Sequence, residues 1–488
     1  MLVGFFHKSI KYFSMPKAEN SIAFTNEVDQ DLQTFLLRQD CQEDLTFGLW
    51  TPSRGSQRTS ALIHTILYPE EGDRLVHGNV AFTKRYFEHA CKRAMSEGCG
   101  IALLHSHLGP GWQGMSPDDV VAETRIAGTV ESLTDLPLVG LTLGTDGTWS
   151  ARFWRHVKGK KFKRLWCRNV RSVGAQLRVS FADHLIPIPE FQEMFKRTVT
   201  VWGEREHANL ARLRIGIVGL GSVGSLVAET LVRMGLQHFV IIDFDEVQTH
   251  NLDRLVTATR RDIGKLKVEV TARRMKAAAT AKQVFIEKVP FSVVEERGYR
   301  AALDCDVIFS CVDRPRARKI LNHLAFAHLI PVIDGGIAVR FKKGEFSGVD
   351  WQVQTVAPGR VCLECLGAFT SADASTEEAG MLDTPSYLQG LPQDHSLKRN
   401  ENVFPFSSNL ASLEVFHLVA LVTGAAGQTE FGVQRFRWIP GILDYDVERK
   451  CEPYCDINLL VGHGDRHFQL FGRDPGAELA RARQAVSN

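Results

Sequence analysis

His105 and His107, in the stretch "HSHLGPGWQGMSPDD", are separated by a single residue. On a strand that spacing puts both imidazoles on one face, because side chains alternate with period two. A carboxylate from Asp119, or from its neighbour Asp118, arrives after a Gly-rich loop at the start of a helix-spaced segment and makes a third ligand. Such a set leaves one position of a tetrahedral Zn²⁺ open for water, whose pKa the ion lowers toward neutrality. Ligand type is what selects zinc here. The aspartate that does not bind is a helix N-terminal charge, stabilising by up to about 1 kcal/mol.

A second chemistry lies further along. "GIVGLGSVGS" spaces Gly219, Gly221 and Gly224 as G-x-G-x-x-G between an apolar strand and a helix, so backbone N–H groups can face phosphate oxygens. Alone, that pattern suits NAD(P) as well as ATP. The residues after it argue otherwise: Asp243, Asn251 and Arg254 in "DFDEVQTHNLDRL", Lys267 in "GKLKVE" and Asp313 in "SCVD". Attack by a carboxylate on an α-phosphate brings two anions together, so it needs cations and a metal to offset charge and stabilise departing pyrophosphate. A dehydrogenase needs neither. Finally, Cys362 and Cys365 in "CLEC" and Cys451 and Cys455 in "CEPYC" offer four thiolates, the donor set of a closed tetrahedral Zn²⁺.

These groups must be positioned by more than one domain, for which 488 residues leave room. Residues 20–172 read as an α/β domain: helical spacing over 28–45, the strand-like "LTFGLW" and "ALIHTILYP", the helix "KRYFEHACKRAMSEG", the strand "IALLHSH", a helix from "SPDDVVAETRIA" and the strand "LPLVGLTLG". Residues 173–196, punctuated by proline, read as a linker. Residues 197–470 follow with strand, tight turn, helix and strand, the opening of a doubly wound sheet, and 471–488 are a tail. The polar stretch from Ser371 to Asn402 reads as a crossover loop. Apolar runs such as "FVIIDF" are strand-sized and short of a bilayer span. A net charge of +2 gives no global field for nucleic acid or a membrane surface. With ten cysteines, two close pairs among them, and no signal-peptide pattern in the opening, the expectation is a cytoplasmic protein. Its first dozen residues are expected to fray, and Met15 is a candidate start.

The first motif set resembles the JAMM/MPN (JAB) metalloprotease family, of cytidine-deaminase-like α/β fold. His105, His107, Ser116 and Asp119 match its H-x-H and S-x-x-D elements, although Leu108 replaces the usual proline and the S-x-x-D element comes one residue late. Counting by the usual spacing selects Asp118. The resemblance implies zinc on the two histidines and the aspartate, Ser116 in the loop, and Glu43 of "QEDLTFGLW" as general base and then acid in hydrolysing amide or isopeptide bonds after a ubiquitin-like tail.

The second set resembles the ThiF/MoeB and ubiquitin-activating adenylyltransferases, with a Rossmann-like fold, over roughly 197–460. That implies Asp243 on the ATP ribose, Asn251 and Arg254 on the phosphates, Lys267 neutralising phosphate charge, Asp313 on Mg²⁺, and a structural zinc on the four cysteines. It also implies a homodimer in which an arginine, here Arg197, crosses to the partner's site. The thioester cysteine that many activating enzymes carry in the crossover loop has no counterpart here.

Together the two resemblances imply a bifunctional protein working on the C-terminus of a ubiquitin-like protein, trimming or deconjugating it and adenylating its carboxylate, with a separate conjugating enzyme as a further candidate partner. Bacterial fusions of this layout are associated with ubiquitin-like conjugation gene sets, some linked to phage defence. Three alternatives stand beside this reading: a sulfur-carrier activating enzyme of cofactor biosynthesis, a docking module with one inactive domain, and, last, a dinucleotide oxidoreductase.

Overall fold

The computed structural model describes residues 19–487 except 78, 160, 191, 343–344, 384–388, 391–401 and 467–469. The opening residues and Met15 lie outside the described set, as does much of the polar stretch before Asn402. In chain order the first part comprises β1 (Glu19–Thr25), α1 (Asn26–Leu36), β2 (Leu45–Arg54), β3 (Arg58–Leu67), β4 (Arg74–His77), β5 (Asn79–Phe82), α2 (Lys84–Glu97), β6 (Gly100–Ser106), α3 (Pro117–Thr134), β7 (Leu138–Leu143), β8 (Trp149–Lys158), β9 (Lys161–Trp166), β10 (Asn169–Val173) and β11 (Arg178–Phe181). Apart from the β4–β5 hairpin, its strands form one mixed sheet in the order β11-β10-β1-β3-β2-β6-β7-β8-β9.

The second part comprises α4 (Lys196–Trp202), α5 (Glu204–Arg212), β12 (Arg214–Val218), α6 (Ser222–Arg233), β13 (His238–Ile242), α7 (Lys267–Ala278), β14 (Phe285–Val289), α8 (Glu296–Ala302), β15 (Val307–Ser310), α9 (Pro315–Ala327), β16 (Val332–Lys342), β17 (Glu345–Val356), α10 (Ser371–Glu378), α11 (Phe404–Thr423), β18 (Val433–Arg437), β19 (Ile442–Asp446) and α12 (Pro475–Ser487). Its sheet runs β14-β13-β12-β15-β16-β17-β18-β19, parallel through β16 and antiparallel beyond. The strand order reverses between β12 and β15, the crevice where open α/β sheets bind ligands.

Local chemistry sets the ends of the site-bearing elements. α3 starts at Ser116, whose hydroxyl accepts from the Asp119 N–H while the Asp119 carboxylate accepts from the Ser116 N–H, with Pro117 in the first turn. α2 stops at Gly98 in the left-handed region, φ 61°.

Four readings change. The helix expected over 28–45 ends at Leu36, because Arg38 binds both Asp40 and Asp44 in a turn where Cys41 takes φ 56°. Residues 173–196 are no bare linker: β11 pairs antiparallel with β10, and Phe181 and Ile186 are buried in the core. The tail carries α12, tied to the body by Arg481 on Glu295. Apolar runs also exceed strand length, since α11 is long and apolar enough to cross a membrane by length and composition. It packs instead against α6, β16 and β17, with Leu410, Leu418 and Leu421 buried.

The two sheets share a core. Ala23, Leu62, Val173 and Phe181 of the first cluster with Leu213, Ile215 and Phe309 of the second. Within this junction Asp306, just before β15, accepts from Arg58 of β3 at 2.5 Å, from Asn169 of β10 at 3.2 Å and from the Arg214 N–H at 2.9 Å, and Arg58 and Asp306 are both fully buried. Burial alone would raise the Asp306 carboxyl, but Arg58 and Arg171 override it and hold it well below the usual carboxylate range. Arg58→Met should therefore cost about 3–5 kcal/mol in urea unfolding by stranding the carboxylate, and Arg58→Met with Asp306→Leu should not recover that loss, because it leaves the fully buried Arg171 without its carboxylate. Because the folded-state pKa is depressed, the pair's contribution is present above about pH 4 and lost as pH falls below it. The difference between wild type and Arg58→Met should shrink in acid.

Candidate active and metal sites

The strand reversal brings the glycine turn to the crevice. Gly219 takes φ +88°, and a Cβ on Gly224 would stand 1.9 Å from the Gly219 carbonyl oxygen, so neither position tolerates a side chain. A Cβ on Gly221 meets nothing within 4 Å, and this residue, having no side chain, caps α6 without a side-chain hydrogen bond. Ser222 is held by Asn402 at 2.7 Å and Ser407 at 2.9 Å, which fixes the start of α11 against the turn.

Asp243 directly follows β13 and accepts from the Leu220 N–H at 2.6 Å and the Asp245 N–H at 2.8 Å. Burial and Asp245 push its carboxyl up against the pull of Lys267. Lys267, at the start of α7, binds Asp245 at 2.8 Å. Burial would lower its ammonium, but Asp243 and Asp245 outweigh that, with a further contribution from Asp313, and keep it above its ordinary value. The structure thus gathers Asp243, Lys267 and the exposed Asp313 around the turn. Asn251 and Arg254 are engaged with their own loop, Asn251 accepting from the Gln248 N–H and Arg254 donating to the His250 carbonyl. Arg197 is exposed on α4, which packs against α5.

At the end of β6 the His105 and His107 Nε2 atoms are 3.3 Å apart, and the Asp119 carboxylate lies 3.4 Å from the first and 3.2 Å from the second. Ligands about 2.0–2.1 Å from a tetrahedral zinc stand about 3.3 Å from one another, so this triangle fits the ion. Asp119 meets the histidines, while Asp118 is exposed. Burial would raise the Asp119 carboxyl, but hydrogen bonds from His105 and His107 hold it far below its usual range, and Asp119 in turn raises His107. Glu43 is half-buried and close enough to act electrostatically on His107. The Ser116 hydroxyl is occupied in capping α3, a positioning contact for Asp119.

The four cysteine sulfurs also converge. Cys362 and Cys455 Sγ are 3.8 Å apart, the separation of about 3.8 Å expected between thiolates on tetrahedral zinc. Backbone N–H groups of Cys362 and Cys365 point at the Cys451 and Cys362 sulfurs. Burial raises the Cys451 thiol to about 11, so loading a metal must displace protons.

Two buried networks escaped the sequence reading. Behind His105, Thr142 lies 3.3 Å from its Nε2 and accepts from Arg152 at 2.5 Å, and Arg152 is paired with the fully buried Glu123. Beside the glycine turn, Asp334 accepts from Ser310 at 2.6 Å and Gln354 at 2.7 Å, near Arg318 and the buried Glu414. The only available signal was charge inside segments otherwise apolar enough to be buried, such as "SARFW" and "SLEVFHLV".

A sequence profile of the ThiF family matches residues 195–439, half of the chain. The molybdopterin-synthase adenylyltransferase of Escherichia coli is 31% identical over 172 residues, 35% of this chain and 65% of that protein. The ubiquitin-like modifier-activating enzyme 5 of Drosophila willistoni is 25% identical over 33% of this chain and 40% of its own length. The sulfur carrier protein ThiS adenylyltransferase of Bacillus subtilis is 28% identical over 38% of this chain and 53% of its own length. Each alignment spans less than two thirds of the relative. With the glycine turn at the strand reversal and half its length matched, the chain belongs to the ThiF family.

Proposed function

We propose that the chain adenylates the C-terminal carboxylate of a ubiquitin-like or sulfur-carrier protein with ATP. The observation that carries this reading is the crevice itself: the uncapped start of α6 beside Lys267, Asp243 and Asp313, in a chain of the ThiF family. A carboxylate oxygen attacks the α-phosphorus, a new P–O bond forms, and the bond to pyrophosphate breaks. Helix-start N–H groups and Lys267 offset phosphate charge, Asp243 accepts from the ribose hydroxyls, and Asp313 would hold Mg²⁺. Asn251 and Arg254 would turn from their loop onto the phosphates, and Arg197 would act across a homodimer.

The finer reading adds a metal-dependent (iso)peptidase of JAMM/MPN type on the first sheet. The zinc-sized triangle of His105, His107 and Asp119 supports it. A zinc there would polarise the scissile carbonyl, and Glu43 would take a proton from the attacking water and hand it to the leaving amine. Activation of a sulfur carrier in cofactor biosynthesis is the second reading; one relative's name and the lack of a cysteine between Leu366 and Phe406 favour it.

Three experiments test these assignments. ATP–pyrophosphate exchange, supported by the cognate carrier protein, should fall by about 10²-fold or more in Lys267→Ala and Asp313→Ala; unchanged exchange in both would remove the adenylation site. Elemental analysis should find two zincs per chain, one lost in Asp119→Ala and the other in Cys362→Ser/Cys365→Ser. Glu43→Gln should keep both ions and lose cleavage of a ubiquitin-like substrate by about 10²-fold or more.

A further inference from the structure

The β8–β9 hairpin carries charge that neither site uses. Between Arg152 and Arg178 the sequence has no aspartate or glutamate. Arg155, Lys158, Lys161 and Lys163 are exposed and form no ion pair with any described residue. In register, Arg155 stands opposite Lys163 and Lys158 opposite Lys161. The partners of a register pair share a face, and residues two apart on a strand also share it, so all four cations lie on one side of the hairpin. The other side packs on α3, where Phe162 meets Gly128.

β9 is also an edge. Among the described residues it pairs only with β8, so one row of its backbone N–H and C=O groups has no strand partner. An added strand would set its same-face side chains about 6.6 Å apart, the spacing of Lys161 and Lys163. We propose that β9 takes up an extended acidic segment of a partner protein, with Asp or Glu at alternate positions opposite Lys161 and Lys163 and ladder hydrogen bonds along the open edge. The paired backbone edge favours a peptide over a nucleic acid, which has phosphates for the lysines but nothing for the ladder. Edge lysines also guard against aggregation, a role that glutamates at the same positions fill equally well. Charge reversal therefore separates docking from protection.

The test is fluorescence anisotropy on the full chain with a labelled peptide bearing glutamate at every second position among valine and threonine. One control has the same charge with proline at its centre, and the other is oligodeoxythymidine. The peptide should bind, the proline form should bind at least about tenfold more weakly, and Lys161→Glu/Lys163→Glu should weaken peptide binding at least about tenfold with an unchanged melting temperature. Lys161→Gln/Lys163→Gln should fall between. No peptide binding, equal binding of the proline form, oligonucleotide binding in place of the peptide, or indifference to charge reversal would each overturn the proposal.

Discussion

One buried carboxylate, Asp306, holds the two halves of this molecule in register. It sits between Arg58 of β3, Asn169 of β10 and the backbone of Arg214, where water cannot replace a lost partner. β3 lies beside β2, and β2 beside β6, whose end carries His105. On the other side Asp306 leads directly into β15, whose end leads to Asp313. A desolvated charge tolerates little displacement, since each misplaced donor leaves a group that has neither water nor partner. Both candidate sites are therefore built outward from the same fixed point.

The two sites solve different electrostatic problems. In the proposed reaction the crevice beside Gly219 would accept an anion, and it offers one lysine whose charge is secured by Asp243 and Asp245. The histidine site must keep a carboxylate ionised and two imidazoles close together, and Asp119 does this by accepting from both rings and from the Ser116 N–H. The capping box is thus part of the ligand geometry: the turn that starts α3 also aims its aspartate.

Much of this was legible because the chemistry is local. Period-two alternation put His105 and His107 on one face, and the glycine spacing announced a turn that sterics then demand at Gly219 and Gly224. A helix starting near Ser116 was readable from the same few residues, but the capping role of the Ser116 hydroxyl was not. What remained hidden depends on tertiary partners. Asp306, Arg58 and Arg171 look like ordinary surface charges until the sheets meet, and α11, apolar on all its faces, has no amphipathic stripe to mark which side is buried. Asn251 and Arg254 follow a motif, but their side chains answer to the hydrogen bonds of their own loop.

If one tail visits both sites, as proposed, a single measurement will show it. A ubiquitin-like substrate bearing a C-terminal extension would be incubated with the chain and α-phosphate-labelled ATP, and the product's mass and label followed together. Trimming before adenylation would give label only on the trimmed form, and in Glu43→Gln only when the substrate is supplied already trimmed. Label on the untrimmed extension, or trimming in Glu43→Gln at the wild-type rate, would contradict it.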